Sequence, residues 1–191
     1  MKKVLFFALL ASLSFMACNN DDDDNPTPAP SENELRYDGP NQTGPVLEAG
    51  TYEAAVRFPA SYLDAYQGRS IDAISFFLGD LPASCVVKVY EGTTAGNEPQ
   101  TEIYSFDVSS GVQAPQWNRL TLNDPIPVAD EDLWLSIVLV HDGQQQSIGC
   151  DAGPNQSNGD WLYDSNDGQW LPYTDRTPES INWNIRGELT E

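Results

Sequence analysis

Between Gly149 and Tyr173 the chain sets Asp151, Asn155, Asn158 and Asp160 on a loop that also carries Gly153 and Gly159. Hard oxygen donors on a glycine-bearing loop suit calcium, so these residues are candidate ligands of a structural calcium ion. Their spacing departs from the EF-hand pattern, and Asn, Asp and Gly also serve turns for backbone reasons alone. Trp161, Tyr163, Trp170 and Tyr173 follow directly. Flat rings beside amides and carboxylates combine apolar area with hydrogen-bond partners, which is how proteins hold a sugar ring or a peptide segment. These aromatics are therefore candidate ligand contacts. Trp161 and Trp170 also fit core positions on paired strands, whereas Trp170 and Tyr173 have polar flanks that favour exposure.

Signals for catalysis are sparse. His141 is the single histidine, so any Ser-His-Asp or Cys-His arrangement has to be built on it. No nucleophile elbow, metalloprotease helix, phosphate loop or dinucleotide turn occurs. Carboxylate pairs among the 29 acidic residues leave open a glycan-active or peptide-active enzyme on a jelly-roll scaffold. The expectation is that the protein is not an enzyme. Cys85 begins an apolar strand and Cys150 ends one. They are a candidate disulfide in an exported chain, or else two small buried hydrophobes.

The third cysteine, Cys18, has a different setting. Met1-Lys2-Lys3 precedes an apolar run from Val4 to Phe15, and Ala17 stands at the cut. This is a secretory signal peptide over residues 1–17. It is too short to span a bilayer, which takes roughly 20 apolar residues. Phe15-Met16-Ala17-Cys18 resembles a bacterial lipobox, whose cysteine is lipidated, with palmitate among the acyl chains expected. It departs from the usual pattern at Phe15 and Met16. Asp21 to Asp24 then form an acidic run that repels itself and stays solvated. Such a run behind a lipidated cysteine resembles a surface-export signal. With the prolines at 26, 28 and 30 it makes residues 18–33 an extended tether. The expected location is the outer membrane, lipid-anchored and facing the cell exterior.

Charge narrows the partners. Loss of Lys2 and Lys3 with the signal peptide moves the formal charge from −20 to −22. The remaining basic residues are scattered singly, so no basic stripe is available for nucleic acid. Direct attraction to anionic lipid is excluded on the same ground, leaving the lipid as the anchor.

The elements that must position these residues read as strands. Period-two alternation recurs after the tether, and helical periodicity is almost absent. Strands are predicted at Tyr52–Phe58, Ile71–Leu78, Cys85–Tyr90, Glu102–Val108, Trp117–Leu122 and Leu133–Val140. The last of these is apolar on both faces and therefore central. From Ile181 to Leu189 the alternation predicts one buried face (Ile181, Trp183, Ile185, Leu189) and one wet face (Asn182, Asn184, Arg186, Glu188). A turn is predicted at Asn123-Asp124-Pro125, and a short helix near 60–66 after Pro59. Residues 34–191 thus form an all-β, two-sheet antiparallel β-sandwich or jelly roll.

From Leu35 to Leu189 the order of several landmarks carries a family resemblance. These include Ala54-Ala55-Val56-Arg57-Phe58, Val87-Lys88-Val89-Tyr90, Trp117-Asn118-Arg119-Leu120, Leu133-Trp134-Leu135, Asp151-Ala152-Gly153-Pro154 and Asn182-Trp183-Asn184-Ile185-Arg186. In this order the chain resembles the jelly-roll adhesin-type domains of surface lipoproteins, similar to the cleaved-adhesin domains attached to gingipain-like proteases. The resemblance implies a sandwich that binds host or matrix proteins or glycans, with calcium in some members and no catalysis. The resulting expectation is a surface-anchored binding module for cell adhesion or carbohydrate binding, with an extracellular glycan or protein as partner. A structural subunit of a surface assembly is the remaining class, and it would show an unpaired apolar edge strand.

Overall fold

A computed structural model describes residues 32–190. Cys18, the signal peptide and most of the tether lie outside the described residues. The strands are β1 (Glu34–Leu35), β2 (Gly50–Phe58), β3 (Ser70–Leu78), β4 (Ser84–Thr93), β5 (Pro99–Asp107), β6 (Gln116–Pro127), β7 (Leu133–His141), β8 (Trp161–Asp164), β9 (Gln169–Pro172) and β10 (Ile185–Thr190). They form two antiparallel sheets, one in the order β1-β10-β3-β6 and the other in the order β5-β4-β7-β2-β8-β9. This is the expected two-sheet β-sandwich. α1 (Ala60–Leu63) and a 3-10 turn at Asp64–Tyr66 occupy the predicted helical segment. Pro59 fixes the extended entry, and Gly68 at φ 83° turns the chain into β3. α2 (Tyr173–Arg176) is one further short turn of helix.

The core lies between the sheets and follows from alternation. Tyr52, Ala54, Val56 and Phe58 on β2 face inward, as do Leu133, Leu135, Ile137 and Leu139 on β7. Strand β7 has β4 and β2 as neighbours, the central place its two-sided apolar sequence requires. From the other sheet Ile71, Ile74, Phe76, Leu78 and Ile185 close the layer. Trp183 fills the same core and donates its indole N–H to the Trp161 carbonyl at 2.9 Å.

Three local expectations change. Asn123-Asp124-Pro125 is no turn between strands but part of a bulge inside β6. Ile71 pairs with Ile126 and Ala73 with Thr121, so only Asp72 stands opposite residues 122–125. The wet face predicted for Asn182 and Asn184 is buried, because segments 37–41 and 150–156 fold across it. There Asn184 donates to Asp38 at 2.6 Å, and Arg186 clamps the same carboxylate at 2.8 Å. Finally, the candidate disulfide is not formed. Cys85 faces the core from β4, while Cys150 bridges Thr43 and Trp183 on the loop side. Burial pushes both thiols up to about 12, so each stays a protonated apolar side chain.

Candidate functional site

Register places a second, smaller cluster on the outer face of the six-stranded sheet. Across β4, β7 and β2 one row reads Tyr90, Trp134, Arg57. The next reads Lys88, Ser136, Ala55 and then Trp161 on β8. A third reads Val86, Val138, Glu53, Tyr163 and Trp170 of β9. Side chains one residue along from the core positions thus build an aromatic and polar surface.

Trp134 is fully buried at its base. Trp161 lies over it edge-on at 5.3 Å between ring centroids, Trp170 at 5.9 Å, and the Arg57 guanidinium sits 5.7 Å from its ring. Such edge-to-face contacts contribute about 0.5–1.5 kcal/mol each beyond area burial. Tyr163 packs against Trp170 at 5.7 Å, and both remain half-buried at the surface of the β8–β9 hairpin. Their positions are therefore fixed from below and their outer faces open.

Polar groups complete the surface. The Trp134 indole donates to Thr93 Oγ1 at 3.0 Å, and that hydroxyl donates to Asp132 at 2.6 Å. Arg57 donates to the same carboxylate through Nε and Nη2 at 3.0 and 2.7 Å. Beside them Glu53, only 9% exposed, accepts from Tyr90 Oη at 2.7 Å and Ser136 Oγ at 2.5 Å. Burial and the Glu53 carboxylate hold the Tyr90 phenol well above its ordinary pKa, so it serves as a donor throughout the physiological range. Lys88 pairs with Glu102 at 2.8 Å on the flank.

The structure divides the residues singled out from the sequence. Trp161, Tyr163 and Trp170 share this face, Trp161 being 8% exposed and mainly a packing ring. Tyr173 goes to the opposite side, buried in the core against Trp183 at 5.3 Å, and is not a contact residue. The candidate calcium residues each make hydrogen bonds with neighbouring segments. Asp151 accepts from the amides of Gly39, Gly153 and Asn182 and from the Asn182 carboxamide, using both carboxylate oxygens. Asp160 accepts from the Thr174 amide and hydroxyl at 3.0 Å each. Asn155 donates to the Ile181 carbonyl, and Asn158 adopts φ 78° while its carbonyl accepts from the Arg57 amide. Both carboxylate oxygens of Asp151 and Oδ2 of Asp160 are thus engaged by donors of the protein itself. Among the described residues no group of three or more His, Cys, Asp or Glu is arranged to hold a metal.

Trp134, Glu53, Tyr90 and Arg57 are not among the candidate site residues that the sequence offers. Each stands at the outward parity of a strand whose inward positions are apolar, and a single carboxylate inside Tyr52–Phe58 was the available signal.

No family model matches the chain, and no curated protein matches it. The fold is similar to a crystal structure of the cysteine protease and lectin-like domains of Cwp84, a surface-layer-associated protein of Clostridium difficile. Identity is 12% and the TM-score 0.51, over 78% of this chain and 36% of that one. The chain thus spans about a third of the neighbour's length, and the likeness establishes the architecture. The adhesin resemblance accordingly stands at the level of a two-sheet sandwich.

Proposed function

We infer that this is the head of a surface-anchored lipoprotein that binds an external ligand, with an extracellular glycan as the favoured class and a matrix or host protein as the other. The observation that carries the reading is the pair Tyr163 and Trp170, their rings tilted at 44° with centroids 5.7 Å apart, Trp170 resting on the buried Trp134 indole, with hydrogen-bonding side chains in the neighbouring rows. Sugar rings stack on fixed aromatic faces while their hydroxyls find polar partners, and fixing the rings beforehand lowers the ordering cost of binding. A lectin-like domain in the fold neighbour's protein and its surface-layer association support the same direction. Anchoring through Cys18 and the acidic tether at the outer membrane, facing outward, completes the proposal. No catalytic role is proposed.

The test is a screen of the full-length protein, solubilised in detergent, on glycan and matrix-protein arrays, repeated with Tyr163→Ala. A glycan ligand whose binding the substitution weakens supports the reading. Turnover of a glycan or peptide, abolished by substituting one carboxylate, overturns it in favour of an enzyme.

A further inference from the structure

We propose that the open edge of the sandwich between β5 and β6 is a second binding site, which accepts an extended, lysine- or arginine-bearing peptide from another protein as an added strand. Strand β5 ends one sheet and β6 ends the other, and among the described residues each pairs on one side only, with β4 and β3 respectively. The chain crosses between them through residues 108–115, leaving a cleft of about 490 Å³. Phe76, Phe106, Trp117 and Leu120 are among the residues that line it. That volume lies within the usual range for a binding cleft.

Exposed apolar surface is concentrated here. Of the five large hydrophobics exposed among the described residues, Ile103, Phe106 and Trp117 belong to these two edge strands. Phe106 sits opposite Val87, at an inward-facing position, yet is 46% exposed because nothing described closes the edge. Trp117 is 36% exposed and held in place by Arg186 at 4.3 Å and by Phe77. Sheet edges are ordinarily blunted by charge, proline or a covering loop. Here Pro99 blunts the start of β5, and the bulge with Pro125 and Pro127 blunts the end of β6. Beside the cleft, residues 103–107 and 116–120 offer edge backbone next to apolar lining, the arrangement that accepts an added strand.

The lining favours a peptide over a sugar. Asn118 spends its carboxamide on the Gln113 amide and on the Gln113 and Gln116 carbonyls, and the Gln113 and Gln116 side chains bond each other. The Asn118 carboxamide and the facing ends of Gln113 and Gln116 are thereby engaged within the protein, while strand-edge backbone groups remain. The rim sets the partner's charge. Arg119 is neutralised by Glu188 at 2.7 Å, whereas Asp107 has no basic partner among the described residues and faces a basic side chain best, as does a chain of net charge −20. The protein's own leader is a poor occupant. The described chain begins beside β1, at the edge opposite β6, and the preceding segment is rich in aspartate and proline, which strands exclude.

This site lies at the β5 edge of the six-stranded sheet and the aromatic face at the β8–β9 edge, so the two are separately testable. The probe is a library of synthetic peptides of about nine residues, matching an ordinary strand, that alternate apolar and polar side chains with or without one lysine. They are titrated onto the full-length protein in detergent, with amide exchange read strand by strand. Expected are binding by lysine-bearing members, protection confined to β5 and β6, and about tenfold weakening by Phe106→Ser. Asp107→Asn is expected to weaken the lysine-bearing peptides alone, and Trp170→Ala to leave all of them unaffected. The proposal is overturned if no member binds, if protection appears elsewhere, if oligosaccharides rather than peptides perturb Trp117, or if folded Phe106→Ser and Asp107→Asn proteins bind as the parent does.

Discussion

Asp151 grips Asn182 three ways: Oδ1 accepts the Asn182 backbone amide at 2.8 Å and both carboxylate oxygens accept its carboxamide, at 3.3 and 3.0 Å. The same carboxylate takes the Gly39 and Gly153 amides at 2.9 Å each. One side chain thereby joins the segment before β2, the long loop before β8 and the approach to β10. Asp151→Ala leaves several buried donors without partners, a loss of about 3 kcal/mol. Chemical denaturation is expected to show that loss, and chelator is expected to leave the parent's midpoint unchanged. A midpoint that falls with chelator would point instead to a bound cation.

Asp38 is the second buried carboxylate that ties the loops down. Arg186 and Asn184 both donate to it, and Arg186 is itself stacked on Trp117. Removing one partner strands the other charge. Asp38→Ala is therefore expected to cost roughly 3–5 kcal/mol in stability, measured by urea unfolding, and to loosen Trp117 as seen in its fluorescence anisotropy.

His141 makes the fold sensitive to mild acid. It is 3% exposed at the end of β7, packed against Tyr52 at 5.2 Å, and burial holds it below its ordinary pKa against the opposing influence of Leu47, Glu48 and Asp80. A depressed histidine binds its proton more readily in the unfolded chain. Its contribution is thus intact above about pH 6.5, the unfolded value, and is lost as pH falls toward the lower folded value. Asp107 and Asp167 are kept low by hydrogen bonds from Ser109 and Arg176, so they titrate in a more acid window. Urea midpoints are expected to fall between pH 7.5 and 5.5 in the parent and much less in His141→Phe.

Strand β7 supplies the core's centre. Leu135, Ile137 and Leu139 are fully buried there, so truncating any one to alanine is expected to cost roughly 2–5 kcal/mol by calorimetry or denaturation. A cost below about 1 kcal/mol would mean that the sheet layer is looser than this packing implies.

How much of this was legible depended on parity. Inward positions such as Leu135, Trp183 and Ile185 announce themselves, because apolar residues at period two have one physical explanation. Outward positions carry the aromatic face, and their grouping rests on register between strands distant in sequence: Tyr90, Trp134 and Arg57 meet only once β4, β7 and β2 are paired. Asn182 and Asn184 looked wet for a similar reason. Their partners Asp151 and Asp38 lie 31 and 146 residues away, beyond any local pattern. Trp117 stands between Gln116 and Asn118 at the start of a predicted strand, and its exposure follows from the place of that strand at the end of its sheet.

The Tyr163–Trp170 surface is the proposed ligand contact. Its most direct test is titration of the best array glycan onto the parent and onto Trp170→Ala by calorimetry, with the melting temperature of each measured alongside. Trp170 caps Trp134 from the surface without belonging to the main core, so a melting shift of only a few degrees is expected. Affinity is expected to fall about tenfold or more, as the loss of a stacked ring implies. Unchanged affinity in a folded Trp170→Ala protein would contradict the account.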